Sequence, residues 1–260
     1  MKRGGDIAND DKEIVAGCIK GLNVIEAFDA AHPRLTVAQT AQLTGLTRAA
    51  SRRYLLTLQK YGYVDSDGKF FHLTPRVLRL GYSYLASIPL PELAQPILDK
   101  MRDKTREAAS VAILDGDEIV FVARAVPQRI MAVRTSVGTR FPAYCTAMGR
   151  VLLSALSDAE LVRLTKRVKL KKLTPATITD SGKLLAAITR VRERGYAIVS
   201  EELEIGLRTI AAPLRNFHGA ITAAISISVQ SATMTPAEME RELLPLLLKS
   251  SQALPAILEK

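Results

Sequence analysis

The sequence has no tryptophan and only two cysteines, Cys18 and Cys145, in 260 residues. Two thiols so far apart cannot build a disulfide framework or a zinc module, and their scarcity fits a reducing cytoplasm. Histidine is nearly as rare. His32, His72 and His218 each fall in a loop or wing context, unlike a triad base held by a carboxylate. There is no Ser-centred elbow, no phosphate-binding Gly loop and no paired His-Glu metal motif. Catalytic residues and cofactors are therefore not expected. A metal is not expected either, because Cys145 and His218 would need two further ligands at no recognisable spacing. Long apolar runs are also missing: no stretch of about 18 apolar residues could span a membrane, and the N-terminus lacks an apolar signal core. Met1 to about Asp11 is polar and reads as a disordered leader. Neither internal repeats nor low-complexity segments occur.

What the chain does have is apolar mass and positive charge. Hydrophobic residues make up 48% of it and the formal charge is +10, enough for packed cores in two domains and a bias toward polyanionic partners. Between Thr36 and Phe71 a DNA-binding pattern is spelled out. Thr36-Val37-Ala38-Gln39 is a capping box opening a two-turn helix to Thr44, and Gly45 supplies the turn. Thr47 caps a longer helix from Arg48 to about Tyr61, stopped by Gly62. Tyr63-Val64 and Phe70-Phe71-His72-Leu73 are β-prone runs joined through Ser66-Asp67-Gly68-Lys69, which contains a favoured hairpin pair. Two helices around a Gly turn followed by a hairpin make a winged helix-turn-helix, whose second helix enters the major groove of double-stranded DNA.

At about 100° per residue, Ala50, Tyr54, Leu55, Leu58 and Tyr61 form a core stripe on that second helix. Arg48, Arg52 and Arg53 fall on the opposite half with small Ala49 between them, although Leu56 lands there too. Arginine forks pair bidentately with guanine or phosphate. The expected DNA contacts are Thr36, Thr47, Arg48, Ala49, Arg52, Arg53 and the wing residue Lys69. A second basic run, Arg163 to Lys172, reads as a solvated helix face.

The chain divides near Pro89. Residues 1–14 are the leader, 15–75 the winged helix-turn-helix, 76–90 a linker helix and 91–260 a second domain. The linker helix carries an apolar face of Val77, Leu78, Leu80, Tyr84 and Leu85, and Ile88-Pro89-Leu90-Pro91 ends it. A helix from Leu93 to about Ala108 should follow, then strands at Ser110–Leu114, Ile119–Arg124 and Ile130–Thr135. Helices are expected over Thr146–Ala155, from the capping box at Ser157, and over Lys183–Arg194. Tyr196–Ser200, Gly206–Leu214 and Ala220–Gln230 read as strands. A last helix opens on the Thr235 capping box with Pro236 at its first position, and Pro245 should bend it. Hairpins interleaved with amphipathic helices give an α+β domain around one sheet.

Several strings resemble the IclR family of bacterial transcriptional regulators: the run from Thr47 to Leu58, Cys145-Thr146-Ala147-Met148-Gly149-Arg150, Glu201-Glu202-Leu203-Glu204-Ile205-Gly206-Leu207-Arg208 and Ile210-Ala211-Ala212-Pro213. The recognition-helix string and the segment around Cys145 look most like the branch that regulates the β-ketoadipate (Pca/Pob) pathway. The resemblance implies a GAF-like α/β effector domain, a homodimer that often pairs into a tetramer, and an effector such as protocatechuate, 4-hydroxybenzoate or β-ketoadipate. Members of that branch are often activators. A repressor of another carbon-catabolic operon, with an unrelated small-acid effector, stays open as an alternative.

By the same resemblance the effector would touch Ile130, Val133, Ala147, Met148, Leu207, Thr209, Ser226 and Ser228. Strand alternation agrees in part, since Ser226 and Ser228 share one sheet face and Thr209 can join them from the neighbouring strand. The helix start near Ala147 should favour a carboxylate. Arg134 and Arg208 are the weaker candidates for a cationic partner, because alternation turns each away from its neighbouring contact residue.

Overall fold

A computed structural model describes residues 15–87, 90–127, 135–216 and 218–254. The chain divides into two compact units, Met1–Ala86 and Ser87–Lys260.

In the first unit α1 (Ala16–Glu26), α2 (Val37–Thr44) and α3 (Arg48–Lys60) precede the hairpin of β1 (Val64–Ser66) and β2 (Phe71–Leu73). The capping chemistry forms as the sequence dictates. The Thr36 hydroxyl accepts from the Gln39 amide at 3.3 Å, and the Gln39 side chain accepts from the Thr36 amide at 2.9 Å. Gly45 ends α2 at φ +69°, a conformation that strains any residue with a Cβ. The core is small, built from Val24, Leu55, Val64 and Phe71. Leu35 pairs with Phe71 and ties the chain before α2 to the wing.

Two details depart from the sequence reading. Tyr61 is 58% exposed, because α3 stops at Lys60 and Tyr61 becomes its C-cap instead of extending the core stripe. Ser51 is buried in its place. The linker stretch is a 3-10 turn (Pro75–Val77) running into α4 (Leu78–Ser87). Leu78, Leu80 and Tyr82 on it are exposed rather than packed within the chain.

The second unit is built on one antiparallel sheet in the order β5-β4-β3-β8-β7-β6. Its strands are β3 (Ala108–Asp115), β4 (Glu118–Ala125), β5 (Arg140–Pro142), β6 (Ala197–Ser200), β7 (Leu207–Arg215) and β8 (Ile221–Gln230). Helices α5 (Leu90–Thr105), α9 (Pro236–Glu242) and α10 (Leu244–Ala253) cover one face. They bury Leu98, Met101, Met239 and Leu247 against Val111, Ile210, Ile225 and Ile227. Helices α6 (Ala147–Leu153), α7 (Asp158–Arg167) and α8 (Ser181–Arg194) cover the other, where Val151, Leu153, Leu184 and Ile188 meet Ala112, Ala211 and Ala224.

Helix α5 starts three residues earlier than expected, with Pro91 in its first turn, where a missing amide hydrogen has no intrahelical partner to lose. The last helix does not bend at Pro245 but breaks ahead of it: α9 stops at Glu242 and α10 starts at Leu244. Residues 130–134 of the expected third strand lie outside the described residues, and Thr135 is in no regular element. The basic run is not one helix face. Helix α7 stops at Arg167, Val168 takes extended backbone, and the loop beyond it is held by the Tyr144 hydroxyl donating to the Lys171 carbonyl at 2.7 Å.

Candidate functional site

The residues expected to face DNA lie on α3, at the start of α2 and on the wing. Arg48, Ala49, Arg52 and Arg53 are exposed, and Thr47 is the N-cap of α3, accepting from the Ala50 amide at 3.2 Å. Thr36 holds the equivalent place on α2. Both threonine hydroxyls thus cap and set the two helices, while the Arg48, Arg52 and Arg53 side chains are exposed. In the wing turn Asp67 accepts from the Lys69 and Phe70 amides and pairs with Arg34. The Phe70 amide is the main cause that holds the Asp67 carboxyl below its usual range. Lys69 and Arg34 both sit over the Phe70 ring, at 5.4 and 5.3 Å, so an aromatic platform presents two cations at the wing. Lys69 was legible from the hairpin, whereas Arg34 joins it only because Leu35 pairs with Phe71.

The second unit contains a cavity of about 100 Å³ between the sheet and the start of α6. Of the expected contacts, Ala147, Met148, Leu207, Thr209 and Ser228 line it. The Thr209 and Ser228 hydroxyls meet at 2.9 Å. Ser226 lies on the same sheet face, fully buried and without a hydrogen-bond partner for its hydroxyl, but it is not among the lining residues. Ile130 and Val133 lie outside the described residues, as does Arg134. Arg208 is turned away: it donates to the Ser200 hydroxyl and the Ser231 and Met234 carbonyls.

Among the described residues the cation at the cavity is Arg124, and a β-bulge puts it there. Residues three apart on a strand point to opposite faces. In the pairing of β3 with β4, Val111 faces Ala123 while Ala112 faces Phe121, which leaves Val122 as an extra residue. This bulge re-aims the strand, so Phe121 and Arg124 share one face and both line the cavity. The guanidinium lies 5.1 Å over the Phe121 ring. Its Nε is buried without a partner, and burial pulls its pKa below the usual value.

Most of the rest of the lining is apolar or already engaged, although the Thr135 hydroxyl is buried without a partner. Phe121 and Phe141 meet edge to face at 5.8 Å. Cys145, its thiol pushed up to about 12 chiefly by burial, adds a neutral sulfur. Glu201 adopts φ +56° and binds the Gly206 amide and Ser231 hydroxyl through its carboxylate. The buried Glu202 pairs with Arg150 at 2.6 Å. Both acids are thereby neutralised or turned into scaffold, and Glu204 is exposed. At the head of α6 the Thr146 hydroxyl takes the Gly149 amide. A Cβ on Gly149 would lie 2.1 Å from the Ala143 carbonyl oxygen, so only glycine lets α6 start this close to the preceding 3-10 turn (Ala143–Cys145).

A volume of 100 Å³ is tight for a substituted ring; an engineered protein cavity of roughly 150 Å³ holds benzene. The cavity shares Arg124, Glu204, Leu207 and Ser228 with a neighbouring cavity of about 410 Å³. Arg124 stands at this boundary, with aromatic and sulfur-bearing walls on the inner side.

Known proteins carry the same two parts. Residues 19–68 match the IclR helix-turn-helix domain, and residues 82–256 match the bacterial transcriptional regulator IclR C-terminal domain. The Pca regulon regulatory protein of Pseudomonas putida is 44% identical over 245 residues, 94% of this chain and 84% of that protein. A solved Rhodococcus sp. RHA1 protein, described as a transcriptional regulator, is 46% identical with a TM-score of 0.82, covering 95% of this chain and 99% of that one. The inducer-binding domain of a double mutant of the Acinetobacter PobR transcription factor, solved with 3-hydroxybenzoic acid, is 35% identical. Its TM-score is 0.61, covering 64% of this chain and 97% of that one. With both parts matched in order, the chain belongs to the IclR family of bacterial transcriptional regulators.

Proposed function

We propose that this chain regulates genes of aromatic-acid catabolism of the β-ketoadipate type, binding operator DNA through α3 and the wing and a small aromatic acid in the second unit. The single observation that carries the effector assignment is Arg124, a guanidinium without a carboxylate partner among the described residues, beside an aromatic-walled cavity. Apolar walls with a few converging polar groups suit a small aromatic acid. In this reading the carboxylate meets Arg124, and the ring lies inward between Phe121 and Met148. A ring hydroxyl is within the hydrogen-bonding repertoire of Thr209 and Ser228. The similarity to a Pca regulon regulator and to a hydroxybenzoate-binding domain supports the same class. The proposal names no catalytic residue, metal or cofactor, and the protein acts in the cytoplasm, where operator DNA is.

Self-association belongs to the same proposal. Val15, Ile19 and Leu22 at α1 and Leu78, Leu80 and Tyr82 on α4 are exposed apolar residues of the first unit, which a second copy would cover. A homodimer places two recognition helices on half-sites about one helical turn apart, and pairing of dimers gives the tetramer. Ligand binding changes DNA affinity only if the two conformations of the protein bind the acid differently.

Thermal denaturation against protocatechuate, 4-hydroxybenzoate, 3-hydroxybenzoate, β-ketoadipate and unrelated dicarboxylic acids tests the effector class. An acid at a hundred times its Kd adds about 2.7 kcal/mol, a rise of roughly 5–10 °C for a domain of this size. A response to a non-aromatic acid alone would overturn the aromatic assignment.

A further inference from the structure

Away from the effector cavity, three arginines converge on a separate groove of about 190 Å³ lined by Arg150, Ala187, Arg190, Val191, Arg194, Tyr196, Ala197 and Ile198. Arg190 and Arg194 are four residues apart on α8, on one helix face, where like charges repel. Between α8 and β6 lies Arg150, only 6% exposed. Its Nη2 donates to Glu202 at 2.6 Å, while its Nε is buried without a partner.

The helix dipole accounts for a cation in the last turn of α8, such as Arg194. It does not account for an under-satisfied guanidinium buried beneath two others. The carboxylates nearby cancel only part of the charge. Glu202 is taken by Arg150, and Glu240 accepts from the Tyr196 hydroxyl at 2.9 Å and reaches Arg194 only at 3.8 Å. No ion pair involves Arg190 among the described residues, so the groove keeps net positive charge. With guanidiniums converging on it, the groove suits a compact anion.

We propose that the groove between α8 and β6, floored by Arg150 and flanked by Arg190 and Arg194, is a second binding site, for a compact oxyanion of the phosphate or sulfate kind. Arg190 and Arg194 supply charge and forked donors from the open side, and Arg150, its charge paired with Glu202, supplies the unpartnered Nε beneath. The site is distinct from the aromatic-acid cavity, with which it shares no lining residue.

The test is thermal denaturation of the full chain with inorganic phosphate, ionic strength held constant with sodium chloride. Phosphate at tenfold above its Kd should raise the Tm by about 3–6 °C. The exposed double variant Arg190→Ala/Arg194→Ala should lose the shift and keep the phosphate-free Tm. Arg52→Ala/Lys69→Ala, on the DNA-facing surface, should keep the shift. No phosphate-specific shift, or an equal shift in the α8 variant, overturns the proposal. Loss of the shift in the Arg52/Lys69 variant instead assigns phosphate to the DNA face and overturns it too.

Discussion

Replacing Arg124 with glutamine probes the effector cavity where its energetics are most lopsided. In the unliganded chain the guanidinium is half-buried, its Nε has no acceptor, and its favourable contact is the Phe121 ring at 5.1 Å. Glutamine keeps some of the reach and removes the charge, so the stability of the unliganded protein should hold or rise slightly. A bound carboxylate reverses the balance. A hydrogen bond to a charged group contributes about 1.5–3 kcal/mol, so affinity for the best-binding acid should fall about 10- to 150-fold. Calorimetric titration with that acid and with its neutral amide separates charge pairing from packing. The wild type should prefer the acid, and Arg124→Gln should bind acid and amide alike. Undiminished binding of the acid by the variant, or an equal loss for acid and amide, would refute the pairing.

Other consequences can be measured independently. Arg52→Ala should weaken specific operator binding by about 1–3 kcal/mol and relax sequence preference, whereas Lys69→Ala should weaken binding uniformly and lower the salt slope by about one unit. Gly149→Ala should destabilise the second unit by about 1–3 kcal/mol or more in urea denaturation, since its Cβ would collide with the Ala143 backbone; a neutral substitution would show that α6 can shift. Burial pushes the Cys145 thiol up to about 12 from 9.0. Its contribution is therefore complete below the unfolded thiol's pKa and lost as pH rises toward 12. Melting temperatures from about pH 8 to 11 should fall more steeply for the wild type than for Cys145→Ala, and parallel curves would contradict this.

Local signals carried far into this structure. The Thr36, Ser157 and Thr235 capping boxes are all formed as written, because a cap needs only residues three apart. Helix α8 likewise ends at Gly195 in the left-handed conformation. What escaped the sequence depends on partners distant in the chain. Helix α1 shows little amphipathic pattern because only Val24 on it is buried. Arg124 was hidden by strand alternation, which holds only without the bulge at Val122. Arg208, a weaker candidate cation by its sequence position, donates instead to acceptors on Ser200, Ser231 and Met234, which are distant in the chain. Ser226 and Ser228 do share a face, but Ser226 is fully buried and only Ser228 lines the cavity, because alternation carries no information on depth.

In the proposed complex an aromatic acid is held between Arg124 and the Phe121–Met148 wall. A crystal structure of the chain with its best-binding acid tests it most directly. The carboxylate should lie within about 2.7–3.2 Å of the Arg124 guanidinium, with the ring against Phe121 and Met148. An acid bound elsewhere, or bound here with its carboxylate turned away from Arg124, would contradict it.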